Sequence, residues 1–104
     1  MEDIRIDVGI DTLLEVDLTD IDFEDAKEVV FTMKNAASIQ SEVIVERKFT
    51  EPKVHKLTIT AEESTKIRES AVYDFQKILK NGDRIKITDN GGVYFRYGVG
   101  DKID

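Results

Sequence analysis

The chain contains 104 residues, with one proline and neither cysteine nor tryptophan. Its length fits one domain over residues 1–104, since domains of about 100–150 residues are the commonest. The absence of cysteine excludes a disulfide scaffold, a thiolate zinc site and a cysteine nucleophile. With 40% hydrophobic and 36% charged residues, the composition is typical of a soluble globular protein rather than a disordered one.

The net charge of −7 is unevenly distributed. Residues 1–30 hold eleven acidic residues against Arg5 and Lys27, which gives −9, whereas residues 31–104 give +2. Because nucleic-acid phosphates need a positive surface, we expect no nucleic-acid partner. We expect no membrane partner either, since no apolar run approaches the ~20 residues of a membrane span. The N-terminus also lacks the basic start and apolar stretch of a secretory signal.

Apolar and polar residues alternate in eight short segments along the chain. A period of two indicates half-buried β-strands, and the β-branched and aromatic residues that favour strands dominate these segments. The alternating apolar residues are Ile4, Ile6 and Val8; Leu14, Val16 and Leu18; Val29, Phe31 and Met33; Val43, Val45 and Phe49; Leu57 and Ile59; Tyr73 and Phe75; Ile85 and Ile87; and Val93, Phe95 and Tyr97. The pattern predicts an all-β sandwich of about seven or eight antiparallel strands with one short helix, an architecture that suits this length.

Two glycine-containing turns separate the last three predicted strands. Asn81-Gly82 suits the positive φ angles of a type I′ hairpin turn, and Asp89-Asn90-Gly91-Gly92 is a second turn of the same kind. We expect these turns to join the last three strands into an antiparallel meander.

The helix is predicted over residues 61–70. Thr60 and Glu63 have the spacing of a capping box, in which each satisfies a backbone N–H of the other. Ile67 and Ala71 are four residues apart and would form a narrow apolar face.

Five acidic residues invite the interpretation of a cation site: Asp17, Asp20, Asp22, Glu24 and Asp25. Counted from Asp20, however, an EF-hand loop would lack the glycine at its sixth position and the glutamate at its twelfth. We expect solvated surface charges, with a weak cation site as the alternative.

Two further features carry weak signals of chemistry. His55, the single histidine, could in principle join Ser64 or Ser70 and Asp74 in a triad, but no serine lies in a nucleophile elbow. The glycines at 98 and 100 resemble part of a phosphate loop, although no helix follows them in residues 101–104. No nucleotide, haem, flavin or zinc motif is present, so we expect no cofactor, no metal, no catalytic residues and no enzymatic activity.

Charged and aromatic residues on the predicted strands are the candidate partner contacts. Asp7, Glu15 and Asp17 occupy polar alternate positions in the first two strands, where they would form an acidic outer face that guards against unwanted pairing and attracts Lys or Arg. Tyr94 and Arg96 share a face of the last strand, and both residue types are enriched at interfaces. The alternative is that Tyr94 only covers the outer side of the sheet.

Five short sequence segments, together with their order along the chain, resemble one known group of proteins. They are Val16-Asp17-Leu18-Thr19-Asp20, Val29-Val30-Phe31-Thr32-Met33-Lys34, Tyr73-Asp74-Phe75-Gln76, Asn81-Gly82 and Gly92-Val93-Tyr94-Phe95. Over roughly residues 12–97 the chain is similar to small immunoglobulin-like β-sandwich proteins of tailed phages and prophages. The similarity is greatest to the N-terminal domain of baseplate upper proteins and related tail or neck components. One difference is that those proteins often carry Thr-Gly where this chain has residues 23–27.

The resemblance implies an immunoglobulin-like fold and a non-catalytic structural role in the virion, with the bacterial cytoplasm as the location before assembly. Its partners would be other phage structural proteins or copies of itself, joined through sheet edges. The alternative is a small carbohydrate- or ligand-binding module in which Tyr94 and Tyr97 line a groove.

Overall fold

A computed structural model describes residues 4–35, 42–67, 71–87 and 91–97. Within these ranges the chain forms eight strands and one helical turn, as the alternating pattern and the capping signal predict. In chain order the elements are β1 (Ile4–Val8), β2 (Thr12–Asp17), β3 (Ala26–Lys34), β4 (Val43–Phe49), β5 (Val54–Ile59), α1 (Ala61–Ser64), β6 (Ala71–Leu79), β7 (Arg84–Lys86) and β8 (Gly91–Tyr97).

The strands form two sheets that pack face to face, which confirms the predicted all-β sandwich. The larger sheet has the order β1-β8-β6-β3-β4, with β7 also paired to β6, and the smaller sheet consists of β2 and β5. Neighbouring strands are antiparallel except β1 and β8, which run parallel and pair Ile4 with Val93 and Val8 with Tyr97. This parallel pair departs from the purely antiparallel arrangement that the sequence predicts.

The predicted closing meander is wrong. β7 pairs with residues 76–78 of β6, and β8 pairs with residues 71–73 of the same strand. The two strands therefore occupy successive parts of β6, and β8 continues beside β1 rather than beside β7. Gly91 and Gly92, which the sequence places in a turn, are the first residues of β8, while positions 89 and 90 lie outside the described residues.

The turn between β6 and β7 lies where Asn81-Gly82 predicts it but is of another type. Gly82 has a φ of +96°, whereas the φ of Asn81 is not positive, so a type I′ turn is excluded. The backbone N–H of Gly82 donates to the carbonyl of Leu79 at 2.9 Å, and the N–H of Leu79 donates to the carbonyl of Asp83 at 2.8 Å. These bonds close a three-residue loop with a glycine bulge, which needs only one positive φ.

The core lies between the two sheets and is centred on β3. The side chains of Val29, Phe31 and Met33 are all fully buried, as their alternation predicts. Leu57 and Ile59 reach them from β5 in the smaller sheet. Burial of these residues from both sheets supplies the main apolar contribution to stability.

β4 departs from simple alternation because it contains a bulge. Met33 pairs with Val45 and Lys34 pairs with Val43, so Ile44 is an extra residue in the register. As a result Ile44 and Val45 are both buried, whereas Val43 is exposed. The prediction that Val43 shares the buried face of Val45 is therefore wrong, since a bulge shifts the phase of the side chains by one residue.

The helix is one turn long, shorter than predicted. Its capping box is formed as expected: the Thr60 hydroxyl accepts a bond of 3.1 Å from the Glu63 N–H, and the Glu63 carboxylate accepts one of 3.0 Å from the Thr60 N–H. Ile67 is buried in the segment that follows, and Ala71 begins β6. The two residues therefore do not share a helical face, and positions 68–70 lie outside the described residues.

Candidate partner-binding edge and cleft

β2 pairs with β5 along one of its edges. It runs antiparallel to β5, from the pair of Thr12 with Ile59 to the pair of Asp17 with Val54. Among the described residues, no strand pairs with its other edge. The backbone N–H and C=O groups that point away from β5 are therefore able to pair with a further strand.

The two faces of β2 differ in chemistry. Leu14 and Val16 face the core, where Val16 is buried and Leu14 is partly buried. Leu13, Glu15 and Asp17 face outward and are exposed, with Leu13 at 76%. The outer face thus combines two carboxylates with a large apolar side chain.

A cleft with a volume of about 590 Å³ opens beside β2, between the two sheets. On the side of the smaller sheet it is lined by Leu14, Val16 and Leu18. Phe31 and Phe75 line it from the larger sheet. The cleft exists because a sheet of two strands, about 4.8 Å apart, cannot cover the face of a much wider sheet.

Three of the residues that line this mostly apolar cleft are charged: Arg5 of β1, and Glu15 and Asp17 of β2, whose side chains project from the outward face of that strand. The carboxylate of Asp17 accepts hydrogen bonds from the Thr19 hydroxyl at 2.6 Å and from the Thr19 N–H at 3.0 Å. These bonds, the hydroxyl bond foremost, hold the pKa of Asp17 below its ordinary value, so Asp17 is charged at neutral pH. Glu15 takes part in none of the ion pairs of the described residues and adds a second negative charge.

The five candidate contact residues fall into two groups. Glu15 and Asp17 lie on β2 in the smaller sheet and line the cleft. Asp7 lies on β1 and is partly buried, and its Cα partner in the parallel pair with β8 is Arg96. Tyr94 lies two positions earlier on β8. The structure therefore brings Asp7 into register with Arg96 in the larger sheet, apart from the two acids of the smaller sheet.

The acidic segment between Asp17 and Asp25 forms turns and an ion pair. The carboxylate of Asp22 accepts a bond of 2.8 Å from the Glu24 N–H. That of Asp25 lies 3.0 Å from the Lys77 ammonium, whose hydrogen bond lowers the pKa of Asp25. Among the described residues, no three His, Cys, Asp or Glu side chains converge on a point that could hold a metal ion.

The residues considered for a triad have other partners. The Nε2 atom of His55 lies 2.7 Å from the carbonyl oxygen of Glu51. The hydroxyl of Ser64 is buried and bonded to two backbone groups. Asp74 belongs to β6 of the larger sheet, whereas His55 belongs to β5 of the smaller one, and Ser70 lies outside the described residues.

Sequence reasoning expected assembly through sheet edges, but it did not identify β2 as the open edge and it missed the cleft beside that strand. The available signal was Leu13, a large apolar residue on the same face as Glu15 and Asp17. A single exposed apolar side chain is common on protein surfaces and does not by itself indicate a binding site. Its significance depends on the unpaired edge and the adjacent cleft, which only the assembled fold reveals.

Comparison with known proteins does not assign a family. No family model matches the chain, and no curated protein shows significant similarity to it.

No helix among the described residues is long and apolar enough to cross a membrane. The glycines at positions 98 and 100 lie outside the described residues.

Proposed function

We propose that the chain is a non-catalytic structural protein that acts through protein–protein assembly, as a tail or baseplate component of a phage or prophage. The assembly role is supported by one observation above all, the unpaired edge of β2 beside an apolar cleft. The sequence resemblance over residues 12–97 supports the phage assignment. It also supports an immunoglobulin-like fold and a location in the virion, or in the bacterial cytoplasm before assembly.

An open strand edge is a known route to association. Natural β-proteins usually protect such edges, because unpaired backbone groups accept strands from other chains. β2 exposes Leu13 on its outer face and lies next to a cleft that would receive further apolar side chains. Strand addition of this kind combines backbone hydrogen bonds with side-chain specificity.

Co-expression with the products of neighbouring genes tests the proposal. We expect the chain to sediment in a complex with one of those products or with copies of itself, measured by analytical ultracentrifugation from micromolar to millimolar concentration. Portal, tail-tube or tape-measure genes beside its own gene would support the phage assignment. A monomer in every mixture would overturn the assembly role, and a metabolic operon would overturn the phage assignment.

The cleft also favours a second candidate function, the binding of a small ligand. Its volume of about 590 Å³ lies within the range of about 300–1,000 Å³ typical of small-molecule sites. Because Leu14, Phe31 and Phe75 line it, the ligand would be apolar rather than a carbohydrate. Screening apolar fragments by NMR tests this function: shifts at Leu14 and Phe75 support it, and their absence with every fragment contradicts it.

A further inference from the structure

We propose that the open edge of β2 binds an extended segment of another protein in which apolar residues alternate with Lys or Arg. This inference rests on the proposed assembly function and specifies the chemistry of its partner. Three features carry it: the geometry of the cleft, the charges on the outer face of β2, and the consequence of pairing two copies of that strand.

The geometry requires apolar residues at alternate positions of the segment. A strand added to β2 would lie about 4.8 Å beyond it, on the side away from β5. Its side chains would point alternately outward and inward. The inward ones would enter the cleft against Leu14, Phe31 and Phe75, where apolar groups avoid the cost of losing water that polar groups would meet.

The outward positions of the segment meet negative charge. Glu15 and Asp17 point to the outer face of β2, and opposite charges directly across from each other on neighbouring strands stabilise the pair by about 0.2–1 kcal/mol. On the β5 side, the register partner of Glu15 is already a basic residue, Lys56. A Lys or Arg on the added strand would repeat that arrangement on the open side.

The same charges disfavour a second copy of β2 as the partner. In three antiparallel registers that keep the apolar faces together, Glu15 would lie opposite an acidic residue of the second copy: Glu15, Asp17, or Asp11, the exposed residue that precedes β2. In the fourth such register, in which Glu15 lies opposite Leu13, Asp17 would lie opposite Asp11. Like charges directly opposite each other destabilise a pair of strands, so the charges select a basic segment. The overall charge of −7 acts in the same direction.

A designed peptide tests the proposal on the full chain. The probe is a short blocked peptide in which lysine and valine alternate. One control replaces each lysine by glutamate, and the other keeps the composition but separates the lysines and valines into two blocks. By calorimetric titration, we expect the alternating lysine peptide to bind at least about tenfold more tightly than either control. NMR shifts should concentrate at residues 12–17.

A charge reversal with a matched control separates a local pairing from general attraction. Glu15→Lys should weaken binding of the lysine peptide and strengthen binding of the glutamate peptide. Glu24→Lys makes the same change in net charge at an exposed turn residue that does not line the cleft, so it should leave the preference unchanged. Equal effects of the two variants, equal binding of the block peptide, or shifts away from β2 would each overturn the proposal.

Failure of this inference can be told apart from failure of the assembly role. If a neighbouring gene product binds Glu15→Lys as tightly as the unmodified chain, assembly stands and the β2 site is wrong. If the chain binds neither the peptide nor any neighbouring gene product, and stays monomeric, both are wrong. Dimers that Glu15→Lys strengthens would assign the edge to a second copy instead.

Discussion

The buried hydroxyl of Ser64 accepts a hydrogen bond of 2.8 Å from the backbone N–H of Gly9. It also donates one of 2.7 Å to the carbonyl of Ala61. Gly9 directly follows β1 of the larger sheet, and Ser64 is the last residue of α1. One hydroxyl therefore connects the helical turn to β1 across 55 residues of sequence.

Removing this hydroxyl should destabilise the fold. Ser64→Ala leaves the Gly9 N–H without its partner, so we expect the free energy of unfolding to fall by about 1–2 kcal/mol. Thr65→Ala is the matched control, because Thr65 also donates to a carbonyl three residues earlier but is exposed. Its effect should stay within about 0.5 kcal/mol. Urea unfolding measures both, and an equal loss for the two variants would contradict the structural role of Ser64.

A second polar connection joins the helical turn to β4. The guanidinium of Arg47 lies 2.7 Å from the Glu63 carboxylate and 3.2 Å from the Thr58 carbonyl. Partial burial raises the pKa of Glu63, but the hydrogen bonds from Thr60 and Arg47, together with the charge of Arg47, outweigh it and leave that pKa below its ordinary value.

This lowered pKa makes the stability dependent on acid pH. A carboxyl whose pKa is lower in the folded state stabilises the fold above its ordinary pKa, which is 4.5 for Glu63, and that contribution is lost as the pH falls through the folded value. We expect Glu63→Gln to be less stable than the unmodified chain by about 1 kcal/mol at pH 7. The difference should shrink as the pH falls below about 4.

Urea midpoints over a pH series measure this effect. Glu62→Gln is the control, since Glu62 is exposed and adjacent in sequence. A difference between Glu63→Gln and the unmodified chain that stays constant down to acid pH would exclude a contribution from the charge of Glu63.

Local patterns predict the strands well because their physical cause is local. Side chains alternate along a strand, so the spacing of Val29, Phe31 and Met33 reveals their shared buried face without knowledge of any neighbour. The capping box of Thr60 and Glu63 is equally local, since it satisfies backbone groups within one turn.

Features that depend on distant residues are the ones that sequence reasoning missed. The bulge at Ile44 follows from its pairing with β3, and the parallel pair joins strands from opposite ends of the chain. Similarly, β2 has an open edge because, in the part of the chain that the structure describes, the smaller sheet consists of β2 and β5. Alternation specifies which face of a strand is buried but not which strand becomes its neighbour.

The β6–β7 turn gives a prediction about backbone conformation. Gly82 has a φ of +96°, and a Cβ added there would meet no heavy atom within 4 Å. The cost of Gly82→Ala therefore comes from the backbone alone, and we expect about 1 kcal/mol of destabilisation. Gly82→Asn should cost less than Gly82→Ala, because Asn tolerates a positive φ better than Ala does. Thermal or urea unfolding of both variants provides the measurement. Equal stabilities of the Ala and Asn variants would contradict the positive φ of Gly82.

Leu13 should contribute to binding but not to folding. Its side chain is 76% exposed, so Leu13→Ser should change the free energy of unfolding by no more than about 0.5 kcal/mol. Ile59→Val, which removes one methylene from a fully buried side chain, should cost about 0.5–1.5 kcal/mol.

An added strand would cover Leu13 with the aliphatic part of an outward Lys or Arg. We therefore expect Leu13→Ser to weaken binding of the alternating lysine–valine peptide about fivefold. If it destabilised the chain as much as Ile59→Val, Leu13 would belong to the core rather than to a partner-binding surface.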